Sequence, residues 1–349
     1  MKRTLSLMLA ALFALSALAA FPANVGASGE EEYYFEPEDY VTSGDWTYGV
    51  HGDGSTVTIV RYNGSATEVA IPTEIDGHTV TRIAWADDNV DLEVVFGNTL
   101  EAVTIPETVT TIGASAFAYC TSLKEITIPE SVTKLEEYAF MKCRSLKTIT
   151  IPDSVTDLGY QTFTDCTSLE SVVIGDGVTG FGAYVFADCT ALTSVTLGKN
   201  VKWIGLTSFQ NCTALKHIEF PEGMEEIGAE AFQDCTSLES ITVPVSVTKI
   251  DGAFCGCTAL KKVYYGGTIK QWNEIEVDGW ARDLLDVKNV VTVPPCDLNG
   301  DAKINAKDVI LLMKSLVSGN KGGDLSGDLN ADGSANAKDV IELMRFLVR

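Results

Sequence analysis

Seven cysteines recur along the middle of this chain at a nearly constant interval. Cys120, Cys143, Cys166, Cys189, Cys212 and Cys235 stand 23 residues apart, and Cys257 follows after 22. Zinc sites need closely spaced ligand pairs, which this interval does not supply. Self-similarity at such a period is instead the mark of a solenoid, in which each repeat forms one coil. Written from the cysteine, the unit reads C-T-S-L-x-x-I-T-I-P-x-S-V-T-x-I-G-x-x-A-F-x-x. A degenerate copy precedes the clear ones at Leu100–Tyr119, and a last copy begins at Cys257.

Each unit carries a strand signal. In Leu123-Lys-Glu-Ile-Thr-Ile128, Ile126 and Ile128 alternate with Thr127, the pattern of a half-buried strand. Pro129 ends it, because proline has no N–H to give to a ladder. Phe117, Phe140, Phe163, Phe186, Phe209, Phe232 and Phe254 recur once per unit and are expected to stack as one apolar column. A lone coil cannot bury its inner face, whereas stacked neighbours can. About nine coils at ~4.8 Å each give a sheet roughly 40 Å long. The cysteines are expected to point inward as well. Their Cβ vectors run parallel, which suits a disulfide poorly, so they are read as buried free thiols acting as small apolar groups. Cys255 and Cys296 lie outside the column and are the candidates for reactive thiols. Both ends need caps against edge-to-edge aggregation. Trp46–Val50 and Thr56–Tyr62 flank the turn His51-Gly-Asp-Gly-Ser55 and predict a hairpin at the front. At the back, Val263-Tyr-Tyr-Gly-Gly267 through Trp272 and Trp280 breaks the period; these aromatics are read as a cap, with a sugar platform as the rarer use.

The unit resembles the BspA-like type of leucine-rich repeat. Leu123, Ile126 and Ile128 match its strand signature, and Ala139-Phe140 its turn on the far side. The resemblance spans about Val69 to Val290. It implies a right-handed leucine-rich-repeat solenoid with a parallel β-sheet, and binding of a protein or polysaccharide on the concave strand face. The outward strand positions are Glu125/Thr127, Thr148/Thr150, Ser171/Val173, Ser194/Thr196, His217/Glu219, Ser240/Thr242 and Lys262/Tyr264. This stripe is small and polar until Tyr264, while binding hot spots favour Trp, Tyr and Arg. It points to no one ligand.

A second internal repeat occupies the C-terminal segment. Asp297-Leu-Asn-Gly-Asp-Ala-Lys-Ile-Asn-Ala-Lys-Asp308 recurs 31 residues later as Asp328-Leu-Asn-Ala-Asp-Gly-Ser-Ala-Asn-Ala-Lys-Asp339. Acidic or amide side chains fall at positions 1, 3, 5, 9 and 12 of each, the spacing by which a 12-residue loop wraps oxygens around calcium. Each loop runs into an apolar stretch, Val309–Val317 or Val340–Val348, that predicts a helix. This tail, from Cys296 to Arg349, resembles a dockerin, the module that plugs into a cohesin domain of a cellulosome scaffoldin. Asp308 and Asp339 at position 12 fit a dockerin, where an EF-hand has Glu. Pro294-Pro295 excludes a long entering helix.

The resemblance implies a small all-α module holding two Ca2+ ions. The ligands in the first site are Asp297, Asn299, Asp301, Asn305 and Asp308, with the backbone carbonyl of Lys303. In the second they are Asp328, Asn330, Asp332, Asn336 and Asp339, with the carbonyl of Ser334. Position 6, which usually takes φ > 0, is Gly333 in the second loop but Ala302 in the first. A non-glycine residue there costs roughly 1–2 kcal/mol, so the first site is expected to be the weaker. Cohesin-facing residues carried over are Ala306, Lys307, Met313 and Lys314, matched by Ala337, Lys338, Met344 and Arg345. Two matched faces leave room for docking in one orientation or in two.

Met1–Ala27 reads as a secretory signal: Lys2 and Arg3, the apolar Leu5–Ala20, and the small-residue site Val25-Gly26-Ala27. No later run approaches the ~20 apolar residues that span a bilayer. The formal charge is −23, nearly all of it outside the tail, which argues against nucleic acid and anionic membranes as partners. The chain has three histidines, His51, His78 and His217, and none has a nearby Ser or Cys nucleophile in a recognisable catalytic context. The expected organisation is a signal peptide at 1–27, a hairpin cap at 28–68, the solenoid with its C-terminal cap at 69–290, a linker at 291–295 and the dockerin at 296–349. The function expected is that of a non-catalytic, extracellular cellulosome component that binds protein or carbohydrate. The alternatives are a regulator or protease inhibitor delivered to the complex, and, least favoured, a polysaccharide hydrolase.

Overall fold

Each repeat closes one coil, and it does so with two short parallel strands where the sequence signalled one. The computed structural model describes residues 39–84, 94–267, 269–277 and 290–292. The first sheet follows the expected signature. Its ten strands run from Glu68–Ala70 to Val290–Thr292 in three short parallel ladders. Register follows the period: Thr148, Ile149, Thr150 and Ile151 sit opposite Ser171, Val172, Val173 and Ile174. Ile149 and Ile151 are buried while Thr148 and Thr150 are exposed, the alternation a strand imposes. Residues 291 and 292, expected in the linker, pair here with Tyr264 and Tyr265.

The second sheet comes from the T-x-I-G part of the unit. Its strands are two residues long, as in Thr111–Ile112, Lys134–Leu135 and Asp157–Leu158, then Trp203–Ile204, Glu226–Ile227, Lys249–Ile250 and Glu276–Val277. A single parallel bridge between Gly180 and Trp203 extends the second half of this row by one coil toward the first. Gly159 follows one of these strands where coils crowd: a Cβ there would lie 2.5 Å from the Glu137 nitrogen.

The third side of the coil is a ladder of turns. Two positions per repeat hold φ between 52° and 63°, the first at Ser115, Tyr138, Gln161, Tyr184, Thr207 and Glu230, the second at Tyr119, Lys142, Asp165, Asp188, Asn211 and Asp234. Each costs a non-glycine residue about 1–2 kcal/mol. The hydrogen bonds hold them there: Gln161, Phe163 and Asp165 donate their N–H groups to the carbonyls of Ala183, Val185 and Ala187 in the next coil, at 2.8–3.0 Å. In the last full coil, Gly252 and Gly256 take these positions.

Inside, the phenylalanines form one continuous stack, with neighbouring ring centroids 5.0–5.3 Å apart and planes within 15° of parallel. It begins at Phe96, one coil before the first expected member. The seven column cysteines are buried and free. Each thiol donates to the carbonyl of a phenylalanine in the preceding coil, as Cys166 Sγ does to Phe140 O at 3.2 Å. Burial pushes the Cys120 and Cys166 thiols up to about 12, and those of Cys143 and Cys189 well above their ordinary value. At physiological pH these are inert thiols.

The front of the stack is closed by the hairpin Trp46–Val50 and Thr56–Tyr62, which pairs antiparallel and then runs parallel to His78–Ile83. Val41–Ser43 adds an edge strand. Trp46 and Tyr62 continue the aromatic column onto Phe96, with Tyr62 5.9 Å and Trp46 6.3 Å from its ring. His51 bridges the hairpin, its ring nitrogens 2.8 Å from the hydroxyls of Thr56 and Thr58. At the back the coil persists where the period was expected to break: Lys262–Tyr265 pairs in register with Ser240–Val243. A one-turn helix, Ile269–Trp272, then brings Trp272 edge-on to Tyr265 at 5.1 Å. Both rings are buried, so Trp272 has no free face for a sugar. Among the described residues no helix is long and apolar enough to cross a membrane.

Candidate functional site

The twelve residues expected at the calcium loops and the eight expected to face cohesin lie outside the described residues, as do Met1–Ala27, Trp280 and Cys296. On the described surface, outward residues line up in files on both sheets. On the first sheet the expected positions line up in register: Thr148, Ser171 and Ser194 form one row, and Thr150, Val173 and Thr196 the next. Farther along, His217, Ser240 and Lys262 are neighbours, as are Glu219, Thr242 and Tyr264. The ammonium of Lys262 stands 6.0 Å from the centre of the Tyr264 ring.

The register also brings His217 beside a serine, which inspection of near sequence neighbours misses. His217 Nδ1 lies 2.9 Å from Ser240 Oγ and 3.2 Å from the Ser240 carbonyl, and Nε2 lies 3.3 Å from Glu219 Oε1. Nδ1 faces the Ser240 carbonyl as well as its hydroxyl, so the ring joins the two coils and is not aimed at the hydroxyl alone. The strand is paired on both sides, so its N–H groups serve the ladder and form no oxyanion hole. The cluster is a polar clasp between coils.

The file on the second sheet is different. It runs Thr111, Lys134, Asp157, Gly180, Trp203, Glu226, Lys249 and Glu276, one residue per coil. At its middle the indole of Trp203 lies across Gly180: a Cβ on that glycine would fall 2.0 Å from Cε2, 2.3 Å from Nε1 and 2.5 Å from Cδ2 of the ring. Glycine at 180 therefore makes room for the ring. Trp203 leans one coil back, over the gap between its own strand and Asp157, and stays 39% exposed. Charged side chains frame it. Asp157 is exposed, Glu226 holds Lys249 at 2.9 Å, and Glu225 holds Lys202 at 3.1 Å. The bond to Glu226 raises the Lys249 pKa.

The family comparison agrees with this coil architecture. The model described as BspA type leucine rich repeat region matches in six copies over residues 93–213 and 180–276. The chain belongs to the BspA-type leucine-rich repeat family. The dockerin type I domain model matches residues 295–348 behind the BspA-type array. The chain is similar to a leucine rich cell surface protein from Faecalibacterium prausnitzii, at 23% identity over 69% of this chain and 98% of that one, with a TM-score of 0.34. A leucine-rich repeat protein from Bacteroides ovatus is 23% identical over 65% of this chain and 71% of its own, with a TM-score of 0.42. The T. pallidum leucine rich repeat protein is 24% identical over 64% and 80%, with a TM-score of 0.38. No curated protein matches the chain. Both matched families, the BspA-type repeat and the dockerin, are non-catalytic types of module.

Proposed function

We propose that this chain is a non-catalytic, exported component of a cellulosome, tethered by its tail and binding a protein or polysaccharide surface with its repeat rod. The observation that carries this reading is the union in one chain of a dockerin-type tail with a BspA-type array. The start of the chain, with Lys2, Arg3 and the apolar Leu5–Ala20, supports export. Outside a cell, calcium is plentiful enough to fill the paired loops.

The donor set fits that ion. Asp297, Asn299, Asp301, Asn305 and Asp308, and again Asp328, Asn330, Asp332, Asn336 and Asp339, are all hard oxygen donors, the kind Ca2+ selects. Lys303 and Ser334 would add backbone carbonyls at position 7. Bound calcium supplies a cross-link that couples loop folding to metal. Ala306, Lys307, Met313 and Lys314, with Ala337, Lys338, Met344 and Arg345, form the two matched faces offered to a cohesin. A binding screen of the full chain against immobilised cohesins, with calcium and with chelator, tests the reading. Capture is expected only with calcium, and Asp297→Ala with Asp328→Ala abolishes it. Lys307→Ala alone leaves it nearly unchanged, because the second face substitutes. Capture that survives chelation, or no capture by any cohesin, sinks the proposal.

A further inference from the structure

We infer that the second sheet carries a binding site for a neutral polysaccharide, with the Trp203 indole as its stacking platform. This deepens the proposed function, because it names the ligand class and moves the site off the strand face where leucine-rich arrays are expected to bind.

Three observations carry it. First, the indole lies across Gly180 with 39% of Trp203 still exposed, so one side of the ring rests on backbone while the residue remains open to solvent. An exposed tryptophan loses apolar contact with nothing packed over it, and the one-residue file above spends its glycine on seating it. Second, the ring is isolated in polar surroundings. The other large apolar side chains exposed among the described residues are Val41, Tyr119, Val173 and Val245, and none is on this file. A protein partner needs a cluster of anchors that can be dried together. A sugar ring needs one flat apolar surface for its C–H face and hydrogen-bonding groups around it for its hydroxyls. Asp157, Glu226 and Lys202 supply that rim. Third, the charge selects among sugars. Glu225 and Glu226 are held by Lys202 and Lys249, so the repulsion comes from the chain as a whole: its formal charge of −23 disfavours an acidic polysaccharide and leaves a neutral one unaffected.

Affinity gel electrophoresis of the calcium-loaded full chain tests this with three probes: hydroxyethyl cellulose, unsubstituted xylan and polygalacturonate. The wild type is expected to be retarded by at least one of the two neutral polymers and not by polygalacturonate. Trp203→Ala weakens that retention about tenfold or more, as truncating an aromatic anchor does, and Trp203→Tyr restores part of it. Asp157→Asn weakens it less. Tyr264→Ala, on the first sheet, leaves it unchanged. Should a variant fold poorly, tryptophan emission of the wild type provides a second reading: the neutral polymer shifts it, and the shift disappears in Trp203→Phe. Retention lost on Tyr264→Ala but intact in Trp203→Ala overturns the site and leaves the tethered-rod function standing. A wild type that binds cohesin yet no neutral polymer overturns the ligand class. Stronger retention by polygalacturonate also overturns it.

Discussion

The two sheets of the rod share a period and differ in almost everything else. Strands of the first reach four residues and show two inward and two outward positions, as in Thr148–Ile151; those of the second are two residues long and show one of each, as in Asp157–Leu158. Yet Leu158, at 1% exposure, is as well buried as Ile149 at 3%. Burial here does not depend on strand length. It comes from stacking coil on coil at ~4.8 Å, which covers any inward side chain from both sides. The outward files diverge for the same reason. First-sheet positions must suit a pleated ladder and are mostly Thr and Ser, while the single outward position of the second is open to lysine, aspartate, glycine or tryptophan. The longer sheet holds the repeat; the shorter one has room to vary, and the exposed indole sits there.

Substitutions can break or sharpen this comparison. The largest effect belongs to the seam both sheets share: Phe163→Ala removes one ring from the stack and is expected to cost about 3–5 kcal/mol in denaturant unfolding. A cost below 1 kcal/mol would mean the rings are not close-packed. Next, Ile149→Ala and Leu158→Ala are each expected to cost about 2–5 kcal/mol, and to match one another. If Leu158→Ala is nearly silent, the second sheet is only a loop in strand geometry. The smallest effect distinguishes the hairpin end from the middle. Burial lowers the His51 pKa below its ordinary 6.5. Above that value neither state is charged. As pH falls through it, the unfolded chain takes up a proton that the folded hairpin resists, so hairpin stability declines with acidity. Asp53, held down to about 2 by the N–H groups of Ser55 and Thr56, keeps its own contribution until far lower pH. Protection factors from hydrogen exchange should therefore drop at Thr56 and Thr58 between pH 7 and 5.5 while those at Ile149 hold. Equal changes at both would refute the role given to His51.

What was legible in the sequence follows the same division. Alternation in L-x-x-I-T-I revealed the first sheet because four residues suffice to show a period of two. A pair such as Asp157-Leu158 cannot show one, so the second sheet stayed hidden. The turn positions with positive φ were hidden too, because Tyr138, Gln161, Lys142 and Asp165 occupy them in place of glycine, held by bonds to the next coil. Phe96 escaped notice because it precedes Phe117 by 21 residues, off the interval. Two signals were present and readable. His217 and Ser240 are one period apart, as are Gly180 and Trp203, and a solenoid makes such residues neighbours. Near-sequence inspection overlooks both; aligning the repeats column by column finds them.

Calorimetry of the full chain with and without chelator tests the central claim most directly, namely that a calcium-independent rod is joined to a calcium-dependent tail. With calcium, two transitions are expected. Chelation should abolish the one belonging to the tail and leave both the rod transition and its strand signal in place. A single transition that ignores the chelator, or a rod that melts with its calcium removed, would contradict the account.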